Sequence, residues 1–187
     1  VAACQACGLC HGRKQTVPGI GNSHSPEIMF IGEGPGAEED ARGEPFVGAA
    51  GQLLTKMIQA MGYERSDVFI ANVVKCRPPE NRQPAPDEMA ACLPWLCNQI
   101  NLIKPKCIVA LGATALRGLI ANPQASISKM RGIWHKFDTI PLMPTFHPSY
   151  LLRYPPAKKN AWDDLKTVLT FLGKTPPPPP PKRSVNS

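Results

Sequence analysis

Residues 28–54 read IMFIGEGPGAEEDARGEPFVGAAGQLL, a stretch in which a buried strand turns sharply into a helix. The apolar run at 28–31 predicts a short strand, and residues 50–61 carry apolar side chains at helical spacing. Glycines, a proline and acids lie between these segments and are typical of a tight turn. Small residues at such a corner would let a flat ligand approach the backbone N–H groups. Taken alone, however, the corner is more simply explained as a turn that needs glycines for its dihedral angles.

The alternation of strand and helix continues along the chain. It predicts strands at 68–74, 107–112 and 141–146, a strand or hairpin at 126–138, and helices at 87–103, 113–120 and 159–172. Such an order predicts a mainly parallel sheet with helices on both faces. Ligands of these sheets bind at the carboxyl ends of the strands. Polar residues occur at each predicted strand end, and we therefore expect a single cleft lined by GEGPG at 32–36, Asn72, residues 112–114 and His147.

The composition is that of one folded domain with a basic surface. The chain has 187 residues, and its 21 Lys and Arg against 14 Asp and Glu give a formal charge of +7. This surplus favours a polyanionic partner such as nucleic acid, although a basic protein without that partner has the same charge. No apolar run approaches a membrane span, and no signal-peptide pattern opens the chain. We expect a domain over residues 1–172 and a proline-rich basic tail over 173–187.

Seven cysteines in a chain without a secretory pattern indicate metal or redox chemistry more than disulfides. Cys4 and Cys7 are two residues apart, and Cys76 and Cys92 lie far downstream. Two close ligands and two remote ones can form a four-cysteine site for zinc or for an iron–sulfur cluster. The spacing does not choose between these, nor does it decide whether Cys10 takes part. The remaining two, Cys97 and Cys107, are expected to be buried as small apolar residues.

Three residues near the predicted cleft have side chains suited to a nucleobase. Phe46 is expected in the core or, at the rim of a cleft, stacked on a base. Asn72 places an amide in an apolar strand, where it is either satisfied by the backbone or presents an acceptor and two donors that match the edge of uracil. His147 follows the last core strand, where a lone histidine is more often structural than catalytic. The GEGPG corner lacks the Lys-Ser/Thr of a phosphate loop, and the acids after it would repel phosphate.

Together these segments resemble the family 4 uracil-DNA glycosylases, the iron–sulfur type of the uracil-DNA glycosylase superfamily. The resemblance runs from Cys4 to about Leu172 and implies a three-layer α/β sandwich around a central, mainly parallel four-stranded sheet. Uracil would bind at the ends of the strands. The segments that carry the resemblance are GEGPGAEED at 32–40, PFVGAAGQLL at 45–54, NVVKCRPPENR at 72–82, Cys92, and FHPSYLLR at 146–153.

The resemblance also implies a role for individual residues. Phe46 would stack on uracil, Asn72 would read its edge, and His147 would lie near its O2. The ligands of a [4Fe-4S] cluster would be Cys4, Cys7, Cys76 and Cys92, with Cys10 a bystander. Beside the base and the sugar the resemblance places Gly32, Glu33 and Gly34, with Glu33 the main catalytic carboxylate and Glu39 taking a lesser share.

We expect DNA to be held by basic and polar residues around the cleft, and two leucines and an arginine to fill the space that a flipped base leaves. The first group comprises Lys75, Arg77, Arg82, Lys129, Arg131, Ser149 and Arg153, and the second Leu151, Leu152 and again Arg153. The implied reaction hydrolyses the N-glycosidic bond of uracil in single- or double-stranded DNA and releases free uracil. No lysine occupies an evident nucleophile position, so no lyase step is expected. We expect a monomer in a prokaryotic cytoplasm, associated with the nucleoid through DNA.

Two alternatives remain open at this point. One is the superfamily type that binds uracil-DNA covalently, in which a basic loop carrying a histidine follows the second strand. The corresponding stretch here, RPPENRQPAP at 77–86, has no histidine. The other is a non-enzymatic nucleic-acid-binding module with a four-cysteine zinc site.

Overall fold

The computed structural model describes residues 1–178 and contains one six-stranded sheet between two layers of helices. The strands are β1 (Ile20–Gly21), β2 (Ile28–Gly32), β3 (Phe69–Asn72), β4 (Cys107–Leu111), β5 (His135–Phe137) and β6 (Ile140–Thr145). The helices are α1 (Ala37–Arg42), α2 (Ala49–Ala60), α3 (Pro86–Ile103), α4 (Ala113–Ile120), α5 (Ile127–Met130), α6 (Pro148–Arg153) and α7 (Lys158–Phe171), with short 3-10 turns at Gly8–His11, Pro79–Asn81 and Pro155–Ala157.

The spatial order of the strands is β1-β3-β2-β4-β6-β5. The four inner strands run parallel, while β1 and β5 are added antiparallel at the two edges. The predicted parallel four-stranded core is therefore confirmed, and the two edge strands extend it. β1 is only two residues long and pairs through its backbone, so it is too short for a periodic sequence pattern to predict it.

The apolar run of β2 reflects a sheet that is covered on both sides. Successive side chains of a strand point to opposite faces. Ile28 and Phe30 accordingly pack with residues of α2 and α7, whereas Met29 and Ile31 pack with residues of α3 and α4. All four are fully buried, so a polar side chain introduced on either face would lose its hydration and destabilise the fold.

Two segments are tied to this sandwich from outside the sheet. The cysteine-bearing arm before β1 lies against the segment after β3, where Val17 N donates to Lys75 O at 2.8 Å. At the other end of the chain, Lys174 Nζ donates to Tyr63 Oη at 2.9 Å and pairs with Glu27. The first residues of the predicted tail thus contact the domain, and residues 179–187 lie outside the described part of the chain.

None of the helices within residues 1–178 combines the length and the apolar character needed to cross a membrane.

Candidate active site

The carboxyl ends of β2, β3, β4 and β6 open into a cleft of about 590 Å³. The structure brings together residues from distant parts of the chain there, as parallel strands whose ends share one edge require. Its walls include Glu33, Gly34, Glu39, Phe46, Asn72, Arg82, Gln83, Thr114, His147, Ser149, Tyr150 and Arg153.

Phe46 is held at the cleft by a backbone conformation that is unusual for a bulky residue. Its φ angle is +55°, in the left-handed region, which costs roughly 1–2 kcal/mol for a residue with a side chain. A Cβ on Gly51 would lie 1.8 Å from the carbonyl oxygen of Phe46, so only glycine at the start of α2 leaves room for this turn. Strain of this kind concentrates at functional sites. The Phe46 ring centroid lies 5.6 Å from that of His147.

Asn72 ends β3 and is 1 % exposed. Its side-chain oxygen Oδ1 is buried and has no hydrogen-bond partner, whereas its main-chain oxygen accepts a hydrogen bond from Lys75 Nζ at 2.8 Å. An unpaired buried acceptor costs about 1–3 kcal/mol. A Cβ on Gly32 would lie 2.5 Å from this Oδ1 and 2.5 Å from Phe46 Cζ. Only a glycine at the end of β2 therefore leaves room for the side chains of Asn72 and Phe46. The amide is therefore left with an acceptor that a ligand can satisfy.

His147 is the N-cap of α6, and its ring has a defined tautomer. Nδ1 accepts the backbone N–H of Ser149 at 3.1 Å, and a backbone N–H can only donate. The ring proton of neutral His147 therefore lies on Nε2. Burial and, to a lesser extent, the positive charge of Arg153 lower the pKa of His147 to about 4, while the negative charge of Glu39 opposes the shift. The cleft thus contains a neutral N–H donor at physiological pH.

The two acids of the corner have different surroundings. Glu33 Oε2 accepts a hydrogen bond of 2.5 Å from Thr114 Oγ1, which in turn accepts one of 2.6 Å from Gln83 Nε2. Glu39 instead braces the corner itself. Its Oε1 accepts from the backbone N–H groups of residues 47 and 48 at 2.9 and 3.0 Å, and its Oε2 accepts from residue 36 at 3.1 Å.

Thr114 and Gln83 were missed as individual site residues by the sequence analysis. Thr114 belongs to the polar stretch that follows a predicted strand, and that placement was the available signal. Nothing in the sequence distinguishes Gln83 from the other polar residues of its loop. Its role depends on a contact with Thr114, 31 positions away.

A second cavity lies where the N-terminal arm meets the segment after β3. The side chains around it include Cys4, Cys7, Cys10, Cys76, Cys92, Arg13, Lys75 and Trp95. Arg13 Nη1 donates to Cys76 Sγ at 3.1 Å, and Lys75 N donates to Cys92 Sγ at 3.2 Å. Burial raises the pKa of the Cys76 and Cys92 thiols. All seven cysteines are free.

The arrangement of these cysteines is an open one. No three or more His, Cys, Asp or Glu side chains in residues 1–178 are arranged to hold a metal ion. The cysteines therefore share a cavity without converging on one point. Cys97 and Cys107 do not line this cavity, and burial raises the pKa of Cys107 to about 12.

The residues expected to hold DNA differ widely in their exposure to solvent. Arg82, Lys129, Leu152 and Arg153 are exposed, and Arg77 and Ser149 are half-buried. Lys75 and Leu151 are both 1 % exposed, which corrects the expectation that they contact DNA. Arg131 forms an ion pair with the buried Asp164 and lies 5.3 Å from the Phe146 ring centroid, so its guanidinium serves internal packing.

The known proteins that this chain resembles match it over most of its length. The family model of the Uracil DNA glycosylase superfamily matches residues 18–166. A protein named type-4 uracil-DNA glycosylase from Thermotoga maritima is 52 % identical over 179 residues, covering 93 % of this chain and 92 % of that protein. Proteins of the same name from Saccharolobus solfataricus and Archaeoglobus fulgidus are 45 % and 38 % identical over 94 % and 95 % of this chain, and over 85 % and 92 % of their own lengths. The cleft and the cysteine arm thus occur in a chain that belongs to the uracil-DNA glycosylase superfamily and, within it, to the type-4 uracil-DNA glycosylases.

Proposed function

We propose that this protein excises uracil from DNA by hydrolysing the N-glycosidic bond, which leaves an abasic site and free uracil. The observation that carries the proposal is the buried, unpaired Oδ1 of Asn72 in a cleft walled by Phe46 and His147. The superfamily membership of the chain supports the same reaction.

Base recognition follows from the donors and acceptors of Asn72. Its free Oδ1 accepts the N3–H of uracil, and its Nδ2 donates to O4. Cytosine presents the reverse pattern, an acceptor at N3 and a donor at C4, so it would leave both amide groups unpaired. The ring of Phe46 stacks on the base, a contact worth about 1–3 kcal/mol.

The bond is reached only after the nucleotide has left the base stack, which costs a few kcal/mol. As the N1–C1′ bond breaks, positive charge develops on the sugar and negative charge on the uracil, including O2. The Nε2–H of neutral His147 donates to O2 and stabilises that negative charge. Glu33, held by Thr114, orients the water whose oxygen bonds to C1′, and its charge balances the sugar cation. The attacking water loses one proton to Glu33 or to solvent, and the released uracil anion takes up a proton to give neutral uracil. Glu39 supports this geometry through the corner backbone.

The reaction ends at the abasic site. A lyase step through a Schiff base needs an amine in the cleft, and none of the cleft residues within 1–178 is a lysine. The buried Lys75 ammonium points at the carbonyl oxygen of Asn72. A monofunctional glycosylase is the activity that these residues support.

We further propose that Cys4, Cys7, Cys76 and Cys92 hold a [4Fe-4S] cluster. All four line one cavity, and Arg13 and a backbone N–H already donate to two of the sulfurs. Such donors are common around clusters because they offset thiolate charge. When bound, the cluster would cross-link the N-terminal arm to the segment 76–92 and so support the cleft.

Iron analysis tests this ligand set. Cys76→Ser and Cys92→Ser should lose iron and the brown colour, while Cys97→Ser and Cys107→Ser should keep both. Cys10→Ser is the discriminating variant, because Cys10 lines the same cavity. Full iron in Cys76→Ser, or zinc in the wild-type protein, would overturn the assignment.

The proposed partners follow from charge and cysteine state. A formal charge of +7 supports binding to DNA, single- or double-stranded. Seven free cysteines suit a reducing compartment. We propose that the protein works as a monomer on nucleoid DNA in a prokaryotic cytoplasm.

The direct test of the function uses a labelled oligonucleotide with one uracil. Incubation with the protein followed by alkali should break the strand at that position and release free uracil, while the same oligonucleotide with cytosine stays intact. Absence of a break with wild-type protein of full iron content would refute the proposal. A protein–DNA adduct that survives denaturation would instead favour the covalent superfamily type.

A further inference from the structure

A stack of aromatic rings leads from the inside of the domain to the surface beside the cleft. The ring centroids of Phe146 and Tyr150 are 4.9 Å apart, and those of Tyr150 and Tyr154 are 5.5 Å apart with their planes only 5° from parallel. The guanidinium of Arg131 lies 5.3 Å from the Phe146 ring centroid and extends the stack inward. Tyr154 N donates to Tyr150 O at 2.8 Å, which fixes the end of α6 and hence the spacing of the two tyrosines.

The outer end of this stack is open to solvent. Tyr150 and Arg153 line the cleft, and Tyr154 follows directly with 62 % of its surface exposed. One face of the Tyr154 ring is therefore packed and oriented by Tyr150 while much of the residue meets water. The uracil chemistry described above uses neither tyrosine.

The charges around Tyr154 suit a polyanionic strand. No acidic residue occurs between Asp138 and Asp163. Arg153 precedes Tyr154, and Lys158 and Lys159 follow it, all three exposed. An exposed tyrosine with three neighbouring cations, in a segment of the chain without acids, combines the aromatic and basic features that single-stranded nucleic acid requires.

We propose that Tyr154, oriented by Tyr150, is a stacking platform for the nucleobase next to the flipped uracil in the same DNA strand. The inference rests on the proposed function, because it needs a DNA strand whose uracil lies in the cleft. Tyr150 lines the cleft and Tyr154 stacks on it at the surface, so a neighbouring base on this side of the cleft would meet the Tyr154 ring. Stacking accepts any base, because every base has a π face, so the platform would add affinity without adding sequence preference.

The test uses an oligonucleotide with 2′-fluoro-deoxyuridine, whose glycosidic bond resists cleavage, and the fluorescent base 2-aminopurine next to it. Two such oligonucleotides carry the probe on the 5′ and on the 3′ side. Stacking quenches 2-aminopurine, so wild-type protein should quench one of the two. Tyr154→Ala should remove that quenching and weaken binding about tenfold, whereas Tyr154→Phe should retain both.

Phe171→Ala is the matched control, because Phe171 is 48 % exposed and pairs with Trp134 away from the cleft. It should bind and quench like the wild type. A second arm needs no variant: replacing the neighbouring nucleotide by an abasic spacer should weaken wild-type binding about tenfold and leave Tyr154→Ala unchanged.

The outcomes separate the two proposals. The platform is overturned if the wild type excises ordinary uracil but leaves the probe unquenched on both sides. It is equally overturned if Tyr154→Ala and Phe171→Ala lose the same affinity. Either result leaves the proposed glycosylase activity intact. Failure to excise uracil from any oligonucleotide would overturn the proposed function itself.

Discussion

The ammonium nitrogen of Lys75 lies 2.8 Å from the main-chain oxygen of Asn72, in a position that is 1 % exposed. The backbone N–H of the same lysine donates to Cys92 Sγ at 3.2 Å. One residue therefore connects the cysteine cavity to the backbone of Asn72, whose side-chain amide is proposed to read uracil. A lysine in this place supports the cleft from within and does not contact DNA.

Replacing Lys75 by Met should lower uracil excision because it leaves the carbonyl of Asn72 without its donor. Loss of a buried hydrogen-bond partner costs about 1–3 kcal/mol. If Asn72 shifts to pair its carbonyl elsewhere, its side chain moves as well, and the single-turnover rate should fall roughly tenfold to a hundredfold. Iron content should be retained, since the N–H that meets Cys92 belongs to the backbone. Lys136→Met, at an exposed position on β5, is the control. A wild-type rate in Lys75→Met would show that the Asn72 backbone needs no such support.

Asn72→Asp should weaken excision of uracil about tenfold to a hundredfold. A carboxylate has no N–H for O4, and in its protonated form it offers only one donor. Steady-state rates on uracil and cytosine oligonucleotides measure both the loss and any relaxed discrimination. Asn101→Asp, an exposed change on α3, should behave like the wild type. Unchanged uracil kinetics in Asn72→Asp would remove this residue from base recognition.

His147→Ala should lower the single-turnover rate by about two to three orders of magnitude, the scale seen when one oxyanion donor is lost. Binding to uracil-DNA should change far less, because phosphate contacts dominate affinity. The melting temperature, the dissociation constant and the rate are to be measured on one preparation. A destabilised variant with a near-normal rate per folded molecule would identify His147 as a structural residue only.

The pH dependence follows from the lowered pKa of His147, about 4 against an ordinary value of 6.5. Between these values the unfolded chain binds a proton at this position and the folded chain does not. Stability from this group is therefore full above pH 6.5 and is lost as the pH falls towards 4. The excision rate should show no step near pH 6.5, since the imidazole is neutral on both sides of that pH. An NMR titration of the wild type against His147→Ala identifies the resonance, and a midpoint near 6.5 would contradict the neutral donor.

Thr114→Val keeps the shape of the side chain and removes the hydroxyl that joins Gln83 to Glu33. The carboxylate of Glu33 then loses its fixed orientation, and kcat should fall about tenfold with little change in KM. Thr114→Ser should restore most of the rate, and Thr170→Val on the surface of α7 should have no effect. Equal losses in kcat and in melting temperature for Thr114→Val and Thr114→Ser would assign the residue to packing.

The sequence by itself determined the layers of this protein and the location of its cleft. Apolar runs of strand length alternate with helical periodicity, and that order is compatible with little else than a parallel sheet covered on both faces. Because the polar residues follow those runs, their meeting at one edge was also predictable. The edge strand β1 escaped prediction, since it has only two residues and no period, whereas β5 lies within the strand or hairpin predicted at 126–138.

Tertiary structure alone decided what individual side chains do. Lys75 was expected to hold DNA and Leu151 to fill the space that a flipped base leaves, yet packing buries both. The acid of Glu39 is occupied by backbone N–H groups, whereas Glu33 meets Thr114 across 81 positions of sequence. Local sequence records the charge and size of a side chain, but its partner is set by which strand ends and loops the fold brings within a few ångströms. Pairings between residues that are distant in the chain are therefore properties of the folded molecule.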